Sequence, residues 1–135
     1  MKTAVINFHP AGSLLALIGQ PNCGKTALFN HLTGSRQKVA NYSGVTVERK
    51  EGRLTTTAGK EIRVLDLPGI YSLYPRSLDE EISCDVLFGR AKGEKEPDCI
   101  LCVVDSTNVR RNLRLVLAIK RLGIPCMLAL NMVDV

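Results

Sequence analysis

A three-layer α/β fold, with helices on both faces of a mainly parallel sheet, is what this 135-residue sequence predicts. Three observations carry the expectation. Short apolar runs alternate with segments of helical period, a glycine-rich loop joins the first run to the first helix, and one hairpin-length gap separates two strands. Strands separated by helices are linked by right-handed crossovers and run parallel, whereas a hairpin forces its two strands antiparallel.

Each element has its own signal. Leu14–Ile18 is apolar and ends at Gly19, which suits a buried first strand. Lys25–Gly34 places Leu28, Phe29 and Leu32 at helical spacing and stops at Gly34. Arg36–Gly44 is polar, has no period and reads as loop. Val45–Leu54 is charged and alternates partly, which suits an edge strand. Thr57–Lys60 turns around Gly59 into the strand Glu61–Leu67, so the edge strand should be the one antiparallel member of the sheet. Pro68–Arg76 reads as irregular, and Ser77 or Asp79 caps a helix running to about Phe88. After the charged connection Lys92–Pro97 come the strand Cys99–Asp105, the helix Val109–Leu122 ending at Gly123, and the last strand Pro125–Leu130.

Composition bounds the rest. The length suits one domain. Hydrophobic residues at 45% and charged residues at 23% indicate a packed globule, and aromatics at 4% with no Trp mean an aliphatic core. No apolar run reaches the roughly 20 residues that span a bilayer. Residues 1–13 lack the apolar stretch and cleavage site of a secretory signal and read as a leader before a domain at 14–135. The net charge of +5 is spread over clusters at Arg36–Lys38, Arg49–Lys50 and Arg110–Arg114. It fits solvated faces, or a patch facing lipid headgroups or RNA. Five cysteines without a framework suggest reduced thiols in the cytosol. Cys99 and Cys102 lie three apart in a strand, so they face opposite ways and cannot share a metal. His9 and His31 stand alone in the sequence.

Gly19-Gln20-Pro21-Asn22-Cys23-Gly24-Lys25-Thr26 fits G-x-x-x-x-G-K-[ST] between a strand and a helix. Glycines let the backbone wrap so that successive N–H groups meet phosphate oxygens, and the helix N-terminus favours an anion. Lys25 is expected at the β- and γ-phosphates, the Thr26 hydroxyl on Mg²⁺, and Ala27 at the rim of the same site. Asp66-Leu67-Pro68-Gly69 follows a strand; its Asp would hold Mg²⁺ and the Gly69 N–H would sense the γ-phosphate. Gly44, Val45 and Thr46 are expected to contact the nucleotide, and Thr46 is placed to give a second Mg²⁺ hydroxyl. Asn131-Met132-Val133-Asp134 follows the last strand. There the Asp carboxylate can accept both N–H groups of guanine, which adenine lacks, while the Asn ties this loop to the phosphate loop. In this order, each at a strand's C-terminal end, the motifs read as a Ras-like P-loop GTPase binding GTP and GDP.

The sequence resembles the cytosolic G domain of FeoB, the family of bacterial ferrous iron transport proteins, from about Leu14 to Val135. The stretches that carry the resemblance are LTGSRQKVANYSGVTVERKEG (32–52), DLPGIYSLYPRSLDEEI (66–82) and RNLRLVLAIKRLGIPCMLALNMVD (111–134). Tyr42 stands where the family usually has Trp, and Cys23 where Ser is common. The resemblance implies a K⁺-stimulated GTPase with Asn22 contacting the ion. It also implies a following helical domain and membrane permease, small cytosolic Feo partner proteins, a place on the cytoplasmic face of the inner membrane, and no nucleic-acid partner. Asn22, Lys25, Thr46 and Gly69 are the expected catalytic residues. Ile70 replaces the water-orienting Gln of Ras-like enzymes, so slow intrinsic turnover is expected. Cys23, among loop amides, is expected to have a lowered pKa, with oxidation blocking the nucleotide. The sequence carries no final strand, base-contacting loop or closing helix after Asp134, so an open sheet edge beside Pro125–Leu130, lower stability and looser affinity are expected. A ribosome-assembly or tRNA-modification GTPase, a GDP-holding module without meaningful hydrolysis and, less well supported because of Asp134, an ATPase are the alternatives.

Overall fold

The computed structural model describes residues 13–131. The leader up to residue 12, Met132 and Asp134 lie outside the described residues. The elements in chain order are β1 (Leu14–Gly19), α1 (Lys25–Thr33), β2 (Gln37–Asn41), β3 (Glu48–Thr55), β4 (Glu61–Asp66), α2 (Leu78–Leu87), β5 (Cys99–Asp105), a 3₁₀ turn (Ser106–Asn108), α3 (Val109–Lys120) and β6 (Cys126–Asn131).

The six strands form one sheet in the order β2-β3-β4-β1-β5-β6. β1 runs parallel to β4 and β5, and β5 parallel to β6. The hairpin at Gly59 sets β3 against β4. β3 is therefore the strand that runs against the others, as expected, but it is not the edge. The stretch 36–44, expected to be loop, contributes β2, which pairs antiparallel with β3 and covers it. β2 is exposed or half-exposed along its length. Backbone pairing, not burial, makes it a strand, so it has no apolar period to read.

The central strands are buried on both faces, which is why they read as continuous apolar runs. Leu14, Ala16 and Ile18 of β1 join Ile100, Cys102 and Val104 of β5 in a core closed by Val86 and Leu87 of α2 and by Leu115 and Ile119 of α3. Leu15 and Leu17 turn the other way and join Cys99, Val103, Ile62 and Val64 under Phe29 of α1. Cys99 and Cys102 thus face opposite layers, and all five thiols are free. Burial pushes the Cys99 thiol up to about 11 and the Cys102 thiol to about 12. Among the described residues no helix is long and apolar enough to cross a membrane.

The helix starts differ. α2 is capped by Ser77, whose side chain accepts from the Glu80 N–H at 3.2 Å, and it carries Asp79, Glu80 and Glu81 in its first turn. α1 starts at Gly24 with no side-chain cap and no acid in its first turn. Its leading N–H groups are left for something else.

Candidate functional site

The parallel strands β1, β4, β5 and β6 end on one side of the sheet, at Gly19, Asp66, Asp105 and Asn131. The loop from β1 to α1 lies across that edge. Asn22 takes a left-handed φ of 66°, which asparagine tolerates better than most residues, and Gly24 takes φ of 89°. Gly24 also stands where a Cβ would lie 1.8 Å from the side-chain nitrogen of Asn131. That nitrogen donates to the Cys23 carbonyl at 3.0 Å, so the end of β6 is tied to the phosphate loop as its motif predicts. Gln20 ties the same loop to α3, donating from Nε2 to the Arg111 carbonyl at 2.9 Å.

Two open cavities meet on this edge. One, of about 300 Å³, is lined by Gln20, Pro21, Asn22, Gly24, Lys25, Thr26, Ala27 and Gly69. The other, of about 450 Å³, adds Thr46, Asp66, Leu67 and Pro68. Lys25 Nζ donates to Asp66 Oδ1, with both side chains nearly buried. The Thr26 hydroxyl lies 3.5 Å from Asp66 Oδ2. Gly69 packs on the loop so closely that a Cβ would lie 2.8 Å from the Pro21 nitrogen. Ile70, next in the chain, is fully buried, and its N–H donates to the Gly19 carbonyl at 2.9 Å.

Thr46 reaches the larger cavity because Tyr42 anchors the turn before it. Tyr42 is buried in the core, its N–H donates to the Val47 carbonyl at 3.0 Å, and Val45 N–H donates to the Tyr42 carbonyl at 3.1 Å. Gly44, at φ 77°, serves the turn, and Val45 packs toward the core instead of lining either phosphate cavity. Gly19 shapes the loop from below, with Val103 and Cys23 against it.

Cys23 corrects an expectation. Its side chain is 2% exposed, and burial among Leu15, Leu17 and Phe29 raises its thiol pKa, outweighing the lowering by backbone hydrogen bonds and by Lys25. The loop amides do not activate it. Sequence reasoning also missed Glu48, Lys50, Leu78 and Asp79, which line the larger cavity. For two of them a signal existed: Thr46, Glu48 and Lys50 are spaced by two, and strand period places such residues on one face.

The comparisons with known proteins converge on one family. The family model described as Ferrous iron transport protein B matches residues 13–135. The Fe(2+) transporter FeoB of Escherichia coli (strain K12) is 52% identical over 126 residues, which is 90% of this chain and 15% of the relative. The G domain of the T. maritima FeoB iron transporter superposes with a TM-score of 0.78 at 47% identity, covering 87% of this chain and 70% of that one. An S. thermophilus NFeoB mutant bound to GDP gives a TM-score of 0.78 at 47% identity, over 90% of this chain and 45% of that one. The chain spans about 15% of the length of the curated relatives it matches.

Proposed function

Because the chain belongs to the ferrous iron transport protein B (FeoB) family, we propose that it binds GTP and GDP and hydrolyses GTP as the switch of a ferrous iron transporter. The observation that carries this reading is the convergence of Lys25, Thr26, Thr46, Asp66 and Gly69 on one open cavity beside an uncapped helix N-terminus. An anion of several phosphates fits there: the α1 N–H groups and the loop amides face it, and Lys25 swings from Asp66 to the phosphates.

Thr26, Thr46 and Asp66 fit a hard divalent cation, because two hydroxyls and a carboxylate line the same cavity. Bound there, Mg²⁺ would neutralise charge on the β- and γ-phosphates. Asp66, released by Lys25, would hold the ion, directly or through water, and Thr26 and Thr46 would complete its shell. Asn22 lines the phosphate cavity and offers a side-chain oxygen to K⁺, whose charge would offset that of the transition state. The Gly69 N–H would report the γ-phosphate to the segment that follows. Asn131 would hold the base-reading loop, with Asp134 accepting from guanine.

The buried Ile70 has no group with which to orient water, so turnover is slow. The same observation favours a second reading, a module that holds GDP with little hydrolysis. A helical domain and membrane permease in the rest of the protein, small cytosolic Feo partners and a place at the cytoplasmic face of the bacterial inner membrane complete the proposal.

Calorimetric titration with GDP and with ADP, in Mg²⁺ and KCl, tests it. GDP should bind at least about tenfold more tightly, a difference of about 1.4 kcal/mol. Equal affinities would overturn the guanine reading. GTP turnover faster in KCl than in NaCl is expected, and no turnover in either salt would replace the enzyme with the holding module.

A further inference from the structure

Tyr42 has two properties that the nucleotide reading leaves unused. From residue 34 to residue 51 it is the one buried residue, so the turn that carries Thr46 to the larger cavity hangs from a single side chain. Its ring belongs to the core layer of Leu65, Leu67 and Ile70, with Val45 and Val47 packed against that layer. Two backbone hydrogen bonds, from the Tyr42 N–H to the Val47 carbonyl and from the Val45 N–H to the Tyr42 carbonyl, bracket Thr46. Ser43, Gly44 and Thr46 are themselves exposed. Seating the ring therefore seats Thr46.

The second property opposes the first. The Tyr42 hydroxyl is buried and has no hydrogen-bond partner among the described residues. The charged groups that act on it are Glu94, Arg49 and Asp66, and each is spent elsewhere. Arg49 pairs with Glu94 and Glu51, and Asp66 pairs with Lys25. Burial holds the phenol above the ordinary tyrosine value. A buried hydroxyl without a partner has lost its hydration and regained nothing, whereas in a lifted turn it meets water. The ring thus favours the seated turn, and the hydroxyl at its tip favours release.

We propose that Tyr42 is a positioning residue that works as a releasable catch: its ring holds Thr46 at the metal cavity, and its unpartnered hydroxyl keeps release of the turn within reach. The part played by Thr46 rests on the nucleotide reading above; the catch itself does not. A ring without the hydroxyl would hold the turn more tightly by the whole cost of the unpaired group, about five- to 150-fold in the opening equilibrium. A nucleotide whose Mg²⁺ is held by Thr46 leaves through the open turn, so the hydroxyl sets how fast it leaves.

Amide hydrogen exchange, followed by NMR on the whole nucleotide-free chain, tests the catch. Tyr42→Phe should raise the protection of the residue 42 and Val45 amides about fivefold or more, and by more than it raises that of the β1 and β5 amides, which report global opening. Unchanged or lower protection at those two amides, or a rise no larger than in β1 and β5, would overturn the catch. Stopped-flow displacement then tests the action through Thr46. Release of a fluorescent, non-hydrolysable GTP analogue in Mg²⁺ should slow about threefold or more in Tyr42→Phe, while release of GDP in EDTA stays within about twofold. In a Thr46→Ala background Tyr42→Phe should change analogue release by less than about twofold. Unchanged analogue release, equally slowed GDP release, or an effect that survives Thr46→Ala would overturn it. The failures are separable: a parent chain that binds neither nucleotide refutes the nucleotide reading, and the exchange result still decides the catch.

Discussion

Replacing Lys25 with Met strands the Asp66 carboxylate in a site where its side chain is 4% exposed, and Asp66→Asn strands Lys25, whose side chain is 10% exposed. Removing one partner of a buried pair costs about 3–5 kcal/mol, because the remaining charge loses its counter-ion where little of it reaches water. A domain of this size holds about 5–15 kcal/mol of total stability, so each single change should remove a large share of it. The double variant strands no charge. If the two effects were independent it would lose the sum, about 6–10 kcal/mol; the pairing predicts a loss no larger than either single change, a coupling of about 3 kcal/mol or more. Urea unfolding of the four nucleotide-free proteins near neutral pH reads this directly from midpoints at constant slope. Additive losses, or single losses below about 1 kcal/mol as at exposed pairs, would refute the claim that this ion pair occupies the site before nucleotide does.

Three further outcomes are expected. Asn131→Ala removes the hydrogen bond to the Cys23 carbonyl, worth about 0.5–1.5 kcal/mol, so GDP affinity measured by calorimetry should fall about two- to thirteenfold. Ser77→Ala removes the cap of α2 and should cost about 1 kcal/mol in thermal or urea unfolding with GDP affinity little changed. The Cys102 thiol is raised from 9.0 to about 12, so the folded state binds its proton more tightly than the unfolded state does. The resulting stability is full below pH 9 and is lost as pH rises from 9 towards 12; this one group should cost about 1 kcal/mol between pH 8 and 10. Cys102→Val should flatten that part of the stability profile, as followed by urea midpoints.

What the sequence made legible was what chemistry fixes locally. The phosphate loop, Asp66 and Asn131 could be placed because each motif sits at the end of an apolar run, and parallel strands bring such ends together. The central strands were legible because burial on both faces writes an unbroken apolar run, as in Leu14–Ile18. β2 was not, because Gln37–Asn41 buries almost nothing and its one strand partner is β3. The edge position expected for β3 failed for the same reason. Cys23 misled because proximity to amides and Lys25 is visible in sequence, while burial on Leu15, Leu17 and Phe29 is a property of the packed layer. The unpartnered hydroxyl of Tyr42 depends on which partners Arg49, Glu94 and Asp66 find in the fold, and no period or motif encodes that.

Gly24 and Asn131 show the same limit in one pair. Each had a separate reason in sequence, the first as a glycine of the phosphate loop, the second as the start of the base-reading motif. In the fold they are a single contact: the Asn131 amide nitrogen sits 1.8 Å from where a Cβ on residue 24 would be, and it holds the carbonyl of residue 23. An alanine at 24 therefore meets two costs, about 1–2 kcal/mol for the left-handed backbone and the loss of the Asn131 hydrogen bond. Gly24→Ala should weaken GDP binding more than Asn131→Ala does. Adding Asn131→Ala to Gly24→Ala should cost nothing further and relieve part of the clash, since the displaced amide no longer competes for the space. A double variant weaker than Gly24→Ala by the full effect of Asn131→Ala would show that the two residues act independently, and that the end of β6 does not brace the phosphate loop.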